Sequence, residues 1–142
     1  MFVLRKSINL LFTRRAKRIL VHADDPRVRK VQLLSPRLYS NSNIEVYDDN
    51  IAQYNSEFSA RFDFIRAANV LNKNYFSDTA LMGMVENLRR YLTRSNGSLL
   101  VVRTHDDLAN HGTLFRLADN GHFKVLTRFG EGSEIESLVL RA

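Results

Sequence analysis

Two stretches of the sequence decide the fold: residues 62–78, FDFIRAANVLNKNYFSD, and residues 88–103, LRRYLTRSNGSLLVVR. In the first, the apolar run 62–68 leads into a polar cluster, which is typical of a buried strand that ends at a loop. In the second, a helical repeat stops before Asn96 and Gly97, and another apolar run follows. The order strand, helix, strand favours two parallel neighbouring strands joined by a crossover helix.

The same patterns assign the elements around these stretches. Apolar residues at helical spacing predict a helix over 79–94, and uninterrupted apolar residues predict a strand over 98–103. Shorter apolar runs between polar loops predict strands at 31–34 and 44–47. We therefore expect strands to alternate with helices through the middle of the chain.

Turn signals divide the last thirty residues into three runs with a strand pattern. Asn-Gly at 120–121 is a strong hairpin signal, and Gly-Glu-Gly at 130–132 marks a second turn. An antiparallel meander is expected here, with Glu134 and Glu136 on one exposed strand face. A short helix over 113–118 is the alternative for the first run. The three runs are 113–117, 123–129 and 135–140.

The positive charge of the chain is concentrated near its start. The 142 residues carry 21 Lys and Arg against 15 Asp and Glu, and residues 1–40 alone hold ten basic and two acidic side chains. Apolar residues at helical spacing predict a basic amphipathic helix over 1–27, followed by an α/β domain over 28–142. The basic face around residues 5–30 is either a binding surface for nucleic acid or another anionic partner, or a solvated helix face.

Composition excludes several classes of protein. Hydrophobic residues make up 44% of the chain, which is enough for one folded core, and the length suits a single domain. The absence of cysteine excludes a disulfide framework, a thiolate metal site and a cysteine nucleophile. Because Arg5, Lys6 and Arg14 interrupt the N-terminal apolar runs, we predict no transmembrane segment and no export signal, and we expect a cytoplasmic location.

With its elements in this order, the chain from about residue 28 to residue 140 resembles the C-terminal two-thirds of a class I S-adenosylmethionine-dependent methyltransferase. Residues 62–78 look like the family's fourth strand and the polar loop after it. Residues 88–103 are similar to its next helix, glycine turn and fifth strand. The resemblance implies a Rossmann-like, mostly parallel sheet that ends in an antiparallel hairpin, with the seventh strand between the fifth and the sixth. If the chain is an enzyme, the resemblance implies methyl transfer to an acceptor that the sequence does not identify.

The resemblance also implies a cofactor, S-adenosylmethionine, and residues that bind it. Asp48 or Asp49 follows the third strand, where the family holds the adenine amino group. Asn69 and Asn72 follow the fourth strand, where polar groups approach the methyl donor. In this type of sheet the ligand lies at the carboxyl ends of the strands.

The segment RTHDDLANHGT, residues 103–113, is the densest polar cluster in the sequence. Loops at strand ends carry many functional groups, so Arg103, Asn110 and His111 are candidates for substrate binding. His105 is a candidate for removing a proton from an acceptor, because imidazole titrates near neutral pH. A hydrogen-bonded turn is the structural alternative. The two histidines and the nearby aspartates match no metal-binding spacing, so no metal site is predicted.

Arg66 stands inside the apolar run 62–68. An unpaired charge in an apolar environment is costly, so we expect this guanidinium to reach Asp63, Asp48 or the rim of the strand. Contact with an anionic substrate is the functional alternative.

The sequence departs from the family pattern near its start. No glycine precedes Gly83, so the glycine-rich cofactor loop is not found, and the usual first strand is missing. The acidic residue expected after the second strand is replaced by Ser-Pro-Arg at 35–37. Two explanations are open: a shortened or fragmentary methyltransferase, or a noncatalytic binding or scaffold module whose basic arm docks an acidic partner or nucleic acid. Unpaired sheet edges in either case favour a homo-oligomer.

Overall fold

A computed structural model describes residues 35–94, 96–105 and 108–142 of the chain. The chain divides into two compact units, Met1–Tyr47 and Asp48–Ala142. The helix predicted over 1–27, the domain boundary after it and the strand predicted at 31–34 lie outside the described residues.

The described part of the first unit, residues 35–47, contains one short helix and an irregular tail. Helix α1 spans Pro36–Tyr39, and its N-cap is Ser35, whose hydroxyl accepts from the backbone N–H of Arg37. The strand predicted at 44–47 is wrong. These residues are exposed and are not in a strand. An alternating apolar pattern yields a strand only where a neighbour satisfies the backbone groups.

The second unit is an α/β structure built on one mixed four-stranded sheet. In chain order its elements are a 3-10 turn at Ser56–Phe58, β1 at Phe64–Ala68, α2 at Asp78–Tyr91, β2 at Ser98–Thr104, β3 at Asn110–Leu117, β4 at Phe123–Phe129 and α3 at Glu136–Val139. The strand order is β1-β2-β3-β4. β1 runs parallel to β2, as predicted, and the two remaining pairings are antiparallel. The described sheet is therefore not mostly parallel.

Helix α2 confirms the prediction made from its apolar spacing. The Ser77 hydroxyl caps its first turn by accepting from the N–H of Ala80 at 3.3 Å. Asp78 lies in the first turn and Arg89 and Arg90 in the last, which suits the helix dipole. The helix ends at Tyr91, several residues before the predicted stop. In the described part of the chain, no helix is both long and apolar enough to cross a bilayer.

The core lies between α2, α3 and one face of the sheet. The apolar face of α2, formed by Leu81, Val85, Leu88 and Tyr91, is buried, and the sheet and α3 supply the other core residues. Burial of these side chains is the main force that holds the unit together. The residues with no more than 1% of their surface exposed are Leu81, Val85, Leu92, Leu99, Phe115, Ile135, Leu138 and Val139, together with the polar Thr113.

The C-terminal part of the sheet is a hairpin followed by a helix. The predicted hairpin is confirmed by β3 and β4, and the helix considered for 113–118 is part of β3. The strand predicted at 135–140 is wrong, because α3 occupies this region. Ile135, Leu138 and Val139 follow the three- and four-residue spacing of one helix face, and all three are fully buried.

The strand order differs from the order that the resemblance implies. β3, the first strand of the hairpin, pairs directly with β2, and the final strand β4 lies at the edge. The connection over 105–109 explains this, because its own hydrogen bonds, His105 N–H to Ala109 O and Leu108 N–H to His105 O, both at 2.9 Å, close a short reversal. A connection of this length joins only antiparallel neighbours.

The carboxylate of Glu136 anchors α3 to the sheet. Its oxygens accept from Arg128 Nε and Nη2 at 2.8 and 2.7 Å and from the hydroxyl of the buried Thr113 at 2.9 Å. The hydrogen bonds from Arg128 lower the pKa of Glu136, with a further contribution from Thr113. The exposed strand face predicted for Glu134 and Glu136 is therefore wrong, since both carboxylates are held in ion pairs.

This ion pair predicts an acid-sensitive contribution to stability. Because the folded state lowers the pKa of Glu136, the stabilisation is present above the ordinary glutamate pKa, about 4.3, and is lost as the pH falls through the lower folded value. We expect Glu136→Gln to lower the free energy of unfolding at pH 7 and to reduce its decline below about pH 4.3. Urea denaturation of both proteins across this pH range measures the difference. Glu131→Gln, at an exposed turn position, is the matched control. If the stability of Glu136→Gln fell at low pH as steeply as that of the parent chain, the role given to the Glu136 ion pair would be wrong.

Candidate functional site

Asn69 closes β1 at the edge where the parallel strands have their carboxyl ends. Its φ of +59° lies in the left-handed region, which asparagine tolerates better than most residues. The backbone N–H of Asn69 donates to Val102 O at 2.9 Å, and its side-chain Oδ1 accepts from the N–H of Thr104 at 2.8 Å. These bonds fix the end of β1 against the end of β2.

Thr104 extends this network to β3. Its hydroxyl donates to Oδ1 of Asn110 at 2.9 Å. The amide oxygens of Asn69 and Asn110 thus both accept from Thr104, which leaves their two NH2 groups as donors at an exposed edge. The structure brings these two predicted site residues together.

Arg103 and Glu134 form an ion pair at the same edge. Arg103 Nη1 donates to Glu134 Oε2 at 2.7 Å, and the two side chains are 20% and 26% exposed. The other carboxylate oxygen accepts from the backbone N–H of Lys73 at 3.1 Å. Next to Lys73, the buried Asn72 accepts from the N–H of Asn74 at 2.8 Å and holds this turn. The charge of Arg103 is therefore matched within the protein.

His105 and His111 lie in ring contact, with centroids 4.6 Å apart and planes tilted by 57°. The backbone N–H of Glu131 donates to Nδ1 of His111 at 2.8 Å, so this nitrogen is the acceptor in that contact. Gly130, at a φ of +57°, makes this approach feasible, because a Cβ there would lie 2.7 Å from the same nitrogen. Among the described residues, the ring of His105 contacts that of His111 and makes no hydrogen bond.

Arg66 does not form the predicted ion pair. Its side chain is exposed, on the sheet face opposite the buried Ala67, so the charge is solvated. Oδ1 of Asp63 accepts instead from the hydroxyl of Thr93 at 2.9 Å. The prediction treated 62–68 as buried on both faces, whereas one face of this edge strand is open.

Asp48 and Asp49 are not brought to the edge that carries Asn72. Asp49 Oδ1 accepts from Nδ2 of Asn55 at 3.2 Å, and the backbone N–H of Asn55 donates to the hydroxyl of Tyr91 at 2.7 Å. Tyr91 ends α2, whereas Asn72 lies shortly before its beginning. A helix of 14 residues, about 21 Å long, separates the two positions.

Sequence reasoning missed Glu134 and Thr104, which organise this edge. A signal for Glu134 was present, because a cation in an apolar strand requires an acidic partner. The sequence analysis expected an acidic partner for Arg66, which is exposed, whereas Arg103 is the arginine that is largely buried. Thr104 carries no sequence signal, since its role depends on the pairing of β2 with β3.

The described residues contain no group of three or more histidine, cysteine, aspartate or glutamate side chains that could hold a metal ion. Asp106 and Asp107, which come after His105 in the sequence, lie outside the described residues. The edge carries two amide donors, two imidazole rings in contact and a matched ion pair.

Comparison with known proteins gives no relative: no protein family, no curated protein and no solved structure matches this chain. The resemblance to methyltransferases therefore stays a prediction, and a functional assignment depends on the geometry of the edge.

Proposed function

We propose that this chain is a methyltransferase-like α/β protein that binds S-adenosylmethionine at the carboxyl edge of β1 and β2. The observation that carries the proposal is the parallel β1–α2–β2 unit, with the polar residues Asn69, His105 and Asn110 at that edge. Ligands of open α/β sheets bind outside the carboxyl ends of parallel strands. A strained backbone such as that of Asn69 is also frequent at ligand sites.

The described residues fit this cofactor only in part. The amide donors of Asn69 and Asn110 suit a carboxylate or a ribose hydroxyl. Asp48 and Asp49 lie at the other end of α2, and no glycine-rich loop precedes Gly83. A bound sulfonium would supply an already activated methyl group, so the protein's task would be alignment, with His105 taking a proton where the acceptor carries one.

A noncatalytic binding or scaffold module is the second candidate, favoured by a specific observation. Two of the predicted substrate residues make contacts inside the protein: Arg103 donates from Nη1 to Glu134, and Nδ1 of His111 accepts from the backbone N–H of Glu131. These contacts hold the edge together, and Glu134 matches the charge of Arg103. In this interpretation the basic segment 5–30 provides the contact with an acidic partner or nucleic acid.

Calorimetric titration with S-adenosylmethionine and S-adenosylhomocysteine separates the two candidates. The proposal predicts saturable binding with a dissociation constant of about 1–100 µM, equivalent to about 5–8 kcal/mol. Asn69→Gly retains the left-handed backbone but removes the amide, and we expect it to weaken binding about tenfold.

Asn96→Gly is the matched control for this titration. Asn96 has a φ of +72° and precedes β2, so it lies at the opposite edge of the sheet. We expect binding by this variant to equal that of the parent chain. A ligand concentration of about 1 mM detects even weak binding. Absence of binding at that concentration would overturn the methyltransferase proposal and favour the noncatalytic module.

A further inference from the structure

A pocket of about 430 Å³ lies at the opposite, amino edge of the sheet. The end of α2, the end of β3 at Leu117, the turn after it and the segment around Tyr54 surround it. Its volume is within the range of small-molecule sites, about 300–1,000 Å³. It shares no lining residue with the polar edge at Asn69, which is about 21 Å away along α2.

Arginines dominate the wall of this pocket. Arg89, Arg90 and Arg94 line it, against a single acidic residue, Asp119. Arg89 is matched by Glu86, with two hydrogen bonds of 2.7 and 2.8 Å. Neither Arg90 nor Arg94 has a carboxylate partner within the described part of the chain. Among the described residues, the pocket therefore presents two guanidinium groups without an ion-pair partner, and Asp119 is the one acidic side chain of its wall.

Two of the three arginines are held in place before any ligand arrives. Arg89 also donates from Nη1 to the carbonyl of Gly121 at 3.1 Å, across the pocket wall. The guanidinium of Arg90 lies 3.4 Å from the centroid of the Tyr54 ring, which in turn stacks on Tyr91 at 5.6 Å. Fixed donors lose little conformational freedom on binding, which favours affinity.

The end of α2 would repel an anion if its carbonyl groups were free, because the C-terminus of a helix carries partial negative charge. They are not free here. The carbonyl of Arg90 accepts from the N–H of Ala60 at 2.9 Å, and that of Tyr91 accepts from the N–H groups of Arg61 and Phe62 at 2.9 and 3.0 Å. These two carbonyl groups are therefore engaged by backbone donors and do not face an incoming anion unpaired.

We propose that this pocket binds a small molecule bearing a phosphate or diphosphate group, with Arg90 and Arg94 as its principal ligands. A planar guanidinium donates two parallel N–H groups that match phosphate oxygens. The volume of the pocket, about 430 Å³, suits a small molecule. This site is separate from the proposed methyl-donor edge and does not depend on it.

Inorganic pyrophosphate is the probe for this site, titrated into the full chain by calorimetry. We expect a dissociation constant of about 1 mM or below, and at least a tenfold weakening, about 1.4 kcal/mol, in Arg94→Gln. Arg94 is exposed, so this substitution leaves the core intact. Arg90→Gln, which also removes the contact with Tyr54, is expected to weaken binding in the same direction.

Arg66→Gln is the matched control, since it removes another exposed arginine, one that lies on the sheet face and outside the pocket. Its pyrophosphate affinity should equal that of the parent chain. If Arg66→Gln weakened pyrophosphate binding as much as Arg94→Gln, the anion would be attracted by the positive charge of the whole surface, and the proposal would be overturned. Absence of pyrophosphate binding at about 10 mM would also overturn the proposal. If pyrophosphate did not bind but a single-stranded oligonucleotide bound tightly, the ligand of these arginines would be an extended polyanion instead.

Discussion

Replacing Phe115 with alanine is expected to lower the free energy of unfolding by about 3–5 kcal/mol. Phe115 is fully buried on β3, packs edge-on against Phe123 with ring centroids 6.1 Å apart, and belongs to the core that α2 and α3 cover. The substitution removes apolar contacts and leaves a cavity that the rigid sheet cannot close. Urea denaturation at neutral pH measures the effect.

Leu126→Ala is the control for this prediction. Leu126 lies on β4 at the irregularity in the pairing with β3, and 42% of its surface is exposed. We expect a change within about 0.5 kcal/mol, because little apolar surface is uncovered. A loss in Phe115→Ala no larger than that of the control would contradict the position of Phe115 in the core.

Replacing Glu134 with alanine is expected to lower the free energy of unfolding by about 1–3 kcal/mol, the largest effect after that of Phe115→Ala. The substitution leaves the guanidinium of Arg103, 20% exposed, without its carboxylate and the N–H of Lys73 without its acceptor. A largely desolvated cation that loses its partner is more costly than an exposed one. Chemical denaturation gives the stability, and the ring protons of His105 and His111 report whether the edge has rearranged.

Two further variants make this prediction specific. Glu134→Gln retains an oxygen for Lys73 and removes only the charge, so we expect an intermediate loss. Glu131→Ala changes an exposed carboxylate three residues away and is expected to leave stability within about 0.5 kcal/mol. Equal stability of Glu134→Ala and Glu131→Ala would show that the ion pair contributes nothing.

The elements that depend on local patterns were predictable from the sequence. Helix α2 follows from the spacing of Leu81, Val85 and Leu88, and β4 has the predicted bounds because glycine-containing turns flank it on both sides. Helix α3 was not predicted. A run rich in branched residues suits a strand as well as a helix, and the helix allows Ile135, Leu138 and Val139 to be buried together in the core.

The candidate site was predictable only as a location. Asn69, Arg103 and His105 meet at one edge because β1 and β2 are parallel, and parallel strands end on the same side. Which atoms bond to which depends on the register of β2 with β3, which no short stretch of sequence encodes. Asp48 and Asp49 were misplaced because the strand expected before them does not form.

Each strand of the described sheet pairs with the next one along the chain, and this order has a consequence for how the protein folds. The reversals over 105–109 and 118–122 close small loops, so the entropy lost in joining β2, β3 and β4 is low and hairpin formation is fast, on a scale of about 1–10 µs. β1 pairs with β2 only after α2 has formed the connection between them, because the residues of a parallel pair are far apart in the chain and such contacts form slowly. We expect the amides of β3 to gain protection from hydrogen exchange before those of β1, so the edge at Asn69 becomes ordered late in folding.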